Sequence, residues 1–248
     1  MLTYSTEIVC GLTGVLPTTL RNWRRAGLIN YPESTDNYSC GQLTRIRTIL
    51  ALSGSGSTLH EIHAFLAGLI EAPRGSWECR QEEMHAQLRK PSNAALYSRL
   101  RQMGRDYCGD DFVNSYLRPL NLWLRSDHSE GASERLVRFH DAVILHAKDV
   151  MRAAGRRKSV PVFLEAVTVT DPTEIWLEAI RLTGQGCRVE ISSETTGLPA
   201  SASLKKEHHL MWCGAGISQL MQWNYREKLR NSEPVMLSGP DQELLLAA

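Results

Sequence analysis

The sequence predicts a mostly α-helical chain that ends in a small parallel α/β layer. Apolar residues recur at three- and four-residue spacing through most of the chain up to Gly155, and Ser, Thr, Gly and Pro punctuate that pattern where helices start and stop. Past Lys158 the period changes to short β-branched runs that alternate with helical stretches. A chain of 248 residues can hold one large domain or two to three small ones, and the expected divisions are 1–70, 71–158 and 159–248.

The first predicted helix carries Ile8, Val9 and Leu12 and closes at Gly14, which suits the positive φ of a helix C-terminus. Pro17 then opens the second helix, where its missing N–H costs nothing. Leu20, Trp23 and Leu28 are spaced to face the first helix, whereas Arg21, Arg24 and Arg25 fall on exposed or flanking positions with no acidic residue among them. Two short helices across a glycine-containing turn, the second one basic, form a helix-turn-helix pattern. In such a pattern Thr18, Thr19 and Asn22 are expected at the groove, and Arg21, Arg24 and Arg25 at phosphates or guanine edges. Trp23 is expected to divide between packing and a backbone contact.

Residues 30–39 are turn-rich and suit a short hairpin wing with Tyr38 as a further expected DNA contact, although Asp36 there would repel phosphate. Ser39 and Gln42 make a capping box for a helix with Leu43, Ile46, Ile49 and Leu50. Residues 53–58 break that helix, and Thr58 with Glu61 caps the next, which carries Leu59, Ile62, Phe65 and Leu66. His60 and His63 share this helix without a third ligand, so no zinc site is expected.

Four helices follow, marked by Trp77, Met84 and Leu88; by Leu96, Leu100 and Met103; by Phe112, Tyr116, Leu120 and Leu124; and by Leu136, Phe139, Val143 and Ala147. Their short connections suggest a bundle. Strands are then expected at 160–169, 187–192, 209–213 and 235–237, with helices up to Gly184 and over 217–229 between them. The tail 241–248 is left open between fraying and packing.

The net charge of +1 argues against broad binding of polyanions, so charge must be read locally. Residues 148–158 form a second basic cluster (Lys148, Arg152, Arg156, Arg157 and Lys158 against Asp149), which reads as a solvated linker. Six scattered cysteines without a Cys-x-x-Cys pair read as reduced thiols. There is no apolar run of membrane-spanning length and no secretory start, which implies a cytoplasmic protein without membrane contact. An enzyme is not expected: no glycine-rich phosphate loop follows a strand, no His-Glu-x-x-His or nucleophile elbow occurs, and Glu82 and Glu83 read as a solvated helix face.

The order Tyr4-Ser5, Leu12-Thr13-Gly14-Val15, Pro17-Thr18-Thr19-Leu20-Arg21, Trp23, Arg24-Arg25, Gly27-Leu28, Leu59-His60-Glu61-Ile62 and Leu66 resembles the DNA-binding domain of the MerR family. The Thr-Leu-Arg-x-Trp-x-Arg core is similar to its MlrA and BluR branch. Trp77 with Gln81 to Met84, Met103 to Tyr107, Leu117 to Leu120, Ile175 to Ala179 and Trp212 to Gly214 extend that likeness over nearly the whole chain.

The resemblance implies a winged helix-turn-helix, a helical bundle and a Rossmann-like, cobalamin-binding-like module. It further implies a homodimer that binds double-stranded promoter DNA and is switched by a regulatory protein partner, in circuits linking light or cyclic-di-GMP signalling to biofilm formation. In the family the wing is longer and usually holds Arg at the position of Asp36. The paired cysteines of metal-sensing relatives are missing.

No cofactor is expected. The family's cobalamin loop needs Asp-x-His-x-x-Gly, whereas this chain has Asp171-Pro172-Thr173-Glu174-Ile175-Trp176, and Ser133 and Glu134 replace the Glu-His pair that light sensors carry downstream of the position of Trp123. Two alternatives remain open from the sequence: a protein-interaction module with degenerate DNA binding, and a corrinoid-linked sensor.

Overall fold

The computed structural model describes residues 3–30, 37–73, 75–156, 158–192, 198–202 and 206–240. The expected hairpin at 30–39 with Asp36, Arg157 of the second basic cluster, and the tail 241–248 lie wholly or partly outside them. The chain divides into two compact units, Met1–Leu120 and Asn121–Ala248.

In the first unit, β1 (Thr3–Ser5) leads into α1 (Thr6–Thr13) and α2 (Pro17–Arg25), and β2 (Asn37–Ser39) leads into α3 (Cys40–Gly54) and α4 (Leu59–Leu66). β1 and β2 pair antiparallel, with Tyr4 opposite Tyr38. The cap chemistry read from the sequence is present: Gly14 sits at φ 70°, Pro17 in the first turn of α2, and capping boxes join Ser39 to Gln42 and Thr58 to Glu61. Val9, Leu20, Trp23, Leu28, Ile29, Tyr38, Ile46, Ile49 and Ile62 close one apolar core among these elements.

α5 (Trp77–Leu88) and α6 (Asn93–Asp106) follow, then a π-helical segment, Asp111–Leu117, where the sequence pattern suggests ordinary α-helix. The start of α5 and the residue just past α6 are fastened to the α3–α4 turn at close range. The Trp77 indole donates to the Gly54 carbonyl at 2.8 Å and the Tyr107 hydroxyl to the Gly56 carbonyl at 2.7 Å. Gly56 itself lies at φ 97°, and a Cβ built there would stand 2.6 Å from the Trp77 backbone nitrogen.

Asp106, at the C-terminal end of α6, is held by burial at a pKa of about 6, against the opposing pull of Arg99, Arg80 and Arg105. The folded state therefore keeps this proton more tightly than the unfolded chain, and stability falls as pH rises from about 4 through about 6. Asp106→Asn should be more stable than the parent at pH 8, by on the order of 2 kcal/mol, with the gap closing near pH 4. Urea unfolding at the two pH values measures this, and identical curves at pH 8 would refute it.

α7 (Arg118–Ser126) carries the chain over the division between the units. In the second unit α8 (Ala132–Ala154) precedes β3 (Val160–Thr168), α9 (Glu174–Gly184), β4 (Cys187–Ser192), β5 (His208–Cys213), α10 (Gln219–Arg230) and β6 (Val235–Ser238). The four strands form a parallel sheet in the order β4-β3-β5-β6. α8 and α9 pack together and both reach β4.

Alternation along β3 sends Val162, Leu164 and Ala166 into a core with Ile175, Ala179 and Leu182 of α9, and Val167 into a second core with Met221 of α10. On the α10 side Glu165 and His209 are buried together, Oε2 and Nε2 2.8 Å apart, and Glu165 also accepts the Ala200 amide. Burial lowers the His209 pKa. The neutral ring then donates through Nε2 and offers Nδ1 to the Lys206 ammonium at 3.3 Å.

Candidate nucleic-acid interface

The helix-turn-helix is built by local chemistry. Ser5 caps α1 through the Ile8 amide, and the α1–α2 turn is held by the Gly14 amide on the Cys10 carbonyl and the Val15 amide on the Thr13 hydroxyl. α2 ends where Gly27 takes φ 72° and the Leu28 amide reaches back to the Trp23 carbonyl at 2.9 Å. Arg45 of α3 adds its Nε to the Leu28 carbonyl, satisfying an acceptor just past the helix end.

This geometry sorts the expected contact residues into two groups. Arg21, Asn22 and Arg25 are exposed and Thr18 is half-buried; at spacings of three and four they share one face of α2. That face carries no acidic side chain. Thr19 is half-buried beside it.

Trp23, by contrast, is 4 % exposed and belongs to the core. Tyr38 is buried too, and the Arg24 guanidinium stacks over its ring at 4.6 Å from the centroid. Arg24 Nε and Nη2 are shielded from solvent and have no hydrogen-bond partner among the described residues. Arg24 thus ties α2 to β2, and most of its donors do not face outward.

α3 adds basic residues outside the helix-turn-helix pattern. It holds Arg45 and the exposed Arg47 and contains no Asp or Glu, a local charge signal of the same kind as that in α2. Near its start the Cys40 thiol approaches the Tyr4 hydroxyl at 3.7 Å. His63 of α4 lies against Gly27, its Nε2 3.4 Å from where a Cβ there would stand. Among the described residues no cluster of His, Cys, Asp and Glu is suited to hold a metal ion.

Residues 4–69 match the MerR HTH family regulatory protein family, residues 77–149 the helical domain of the transcriptional regulator MlrA, and residues 160–229 its C-terminal domain. The chain belongs to the MerR family, in its MlrA branch. No curated protein matches it. This MlrA-type chain is a transcriptional regulator with a helix-turn-helix of the DNA-binding type. No helix among its described residues is long and apolar enough to cross a membrane.

The C-terminal domain of this MlrA-type regulator has the strand reversal, between β3 and β5, at which open α/β sheets usually receive ligands. Its residues do not fit a corrinoid. The loop after β3 is filled by its own neighbours: Asn121 Nδ2 donates to Asp171 at 2.6 Å, Arg125 pairs with Asp171 at 3.2 Å, and His140 meets the Thr173 hydroxyl at 3.0 Å.

Trp176 is packed against the sheet core where a corrin tail would need space. The crevice is also laced shut. The Thr168 hydroxyl donates to the Gly216 carbonyl at 2.6 Å and accepts the Gly214 and Ala215 amides.

Proposed function

We propose that this regulator binds double-stranded promoter DNA sequence-specifically through the α2 face formed by Thr18, Arg21, Asn22 and Arg25, with Thr19 at its edge. The carrying observation is that both arginines are exposed on a face without an acidic neighbour, so their charge is available to phosphates and guanine edges. The buried Trp23 and Tyr38, with the half-buried Arg24 stacked on the Tyr38 ring, support that face from behind.

The protein acts in the cytoplasm as a homodimer, and its bundle and C-terminal part answer to a protein partner; the division 1–70, 71–158 and 159–248 follows these roles. The filled loop around Asp171 favours a protein signal over a corrinoid at this position.

Arg21→Ala should weaken binding to the cognate duplex by about 1 to 3 kcal/mol, roughly fivefold to 150-fold. A gel-shift titration against the promoter fragments recovered by genome-wide mapping reads this, and parent-like affinity would refute the assignment. Size measurement in solution with and without the duplex tests the homodimer, and a pull-down with the full chain tests the partner.

A further inference from the structure

We propose that Arg80, far from the reading face in sequence, is a positioning residue for DNA recognition: through Glu61 it sets the place of α4, and α4 supports the end of the recognition helix. The inference rests on the reading of α2 as the DNA-contacting helix.

Arg80 is 5 % exposed, unusual for a guanidinium, and each side of its planar fork is committed. Its Nη2 donates to Glu61 Oε1 at 2.6 Å, its Nη1 to Glu83 Oε1 at 2.8 Å and its Nε to the Gly56 carbonyl at 3.2 Å. The second oxygen of Glu61 takes the Thr58 amide at 2.8 Å and the Thr58 hydroxyl at 2.9 Å. One carboxylate therefore serves both as the N-terminal cap of α4 and as the receptor of Arg80.

The Glu61 carboxyl is held below the ordinary range: burial opposes ionisation, but the Thr58 bonds and Arg80 outweigh it. Gly75 presses on the pair, since a Cβ there would stand 2.7 Å from Glu61 Oε2. α4 thus has little freedom at its start.

The other side of α4 faces the reading helix. Ile62 shares a core with Leu20 and Trp23, and His63 lies against Gly27. Eight residues of helix span only about 12 Å, too short to bend appreciably. A shift of α5 at Arg80 is then passed through a stiff rod to the end of α2. Lysine cannot replace the fork, because a single ammonium cannot meet two carboxylates and a carbonyl in this plane.

The test uses the full chain and, as probe, the duplex that the parent protein enriches from a random-sequence library. Arg80→Met, compared at a temperature where circular dichroism shows it folded, should bind about tenfold more weakly, with Arg80→Lys in between. Leu100→Ala supplies the control: it empties a fully buried position in α6 that makes no hydrogen bond to Glu61 or Gly56, and should lose thermal stability yet keep parent affinity. Backbone amides 59–66 should lose exchange protection in Arg80→Met and retain it in Leu100→Ala.

Parent-like affinity and exchange in folded Arg80→Met overturn the proposal, as does equal weakening in Leu100→Ala. If Arg80→Met does not fold, Arg80→Lys and Glu83→Gln decide by the same two readouts. If the parent enriches no sequence, the DNA reading has failed, and exchange at 59–66 alone judges Arg80.

Discussion

Trp23→Ala should cost the first unit about 3 to 5 kcal/mol, the range for deleting a buried large aromatic side chain. The residue lies in the motif most readily associated with DNA, so a loss of promoter binding alone would be easy to misread. Its side chain is buried with Leu20, Leu28, Ile29, Ile46 and Ile62, and the helix face that meets solvent is formed by other residues.

The expected result is therefore a lowered urea midpoint accompanying any loss of affinity. An unchanged midpoint with lost affinity would make Trp23 a contact residue and overturn its placement.

Gly56→Ala should be similarly severe, above about 3 kcal/mol. The backbone there is at φ 97°, and the new Cβ would meet the Trp77 nitrogen at 2.6 Å and the Ser76 carbonyl carbon at 2.7 Å. Both are main-chain atoms, so no side chain can turn aside. Relief would require α5 to move, breaking the Arg80 bond to the Gly56 carbonyl.

Gly14 supplies the contrast: it also has positive φ, at 70°, but an added Cβ meets nothing within 4 Å. Gly14→Ala should therefore cost only about 1 kcal/mol, the backbone cost alone. Parallel denaturant titrations of the two variants measure the difference, and equal losses would contradict the packing argument.

The contrast also explains what could be read from the chain. Helix ends at Gly14, Pro17, Ser39 and Thr58 were legible because a cap is settled within four residues. β4 was legible because Val189 and Ile191, alternating with Arg188 and Glu190 after Gly184 and Gly186, carry a strand signal of their own.

The β1–β2 pairing was not, since Tyr4 meets Tyr38 across a long stretch of intervening chain. The π-helical Asp111–Leu117 likewise has no separate signal, because its apolar spacing resembles that of an α-helix. At the reading face, residue type suggested Trp23, Arg24 and Tyr38 alongside Arg21 and Arg25. Burial separates these groups, and burial depends on Ile46 and Ile62, far along the chain. Arg80 gave no local sign at all, because its partners Gly56, Glu61 and Glu83 meet it only after folding.

The small size of the α2 face limits how much sequence one copy can address. From Thr18 to Arg25 the helix rises about 10 Å at about 1.5 Å per residue. Base pairs are stacked about 3.4 Å apart, so that length spans about three of them. Three base pairs carry roughly 6 bits and recur by chance about every 64 positions, whereas choosing one site among about a million takes roughly 20 bits. If α2 reads DNA as proposed, a single head is under-addressed, and a second head or the shape of the duplex would have to supply the missing information.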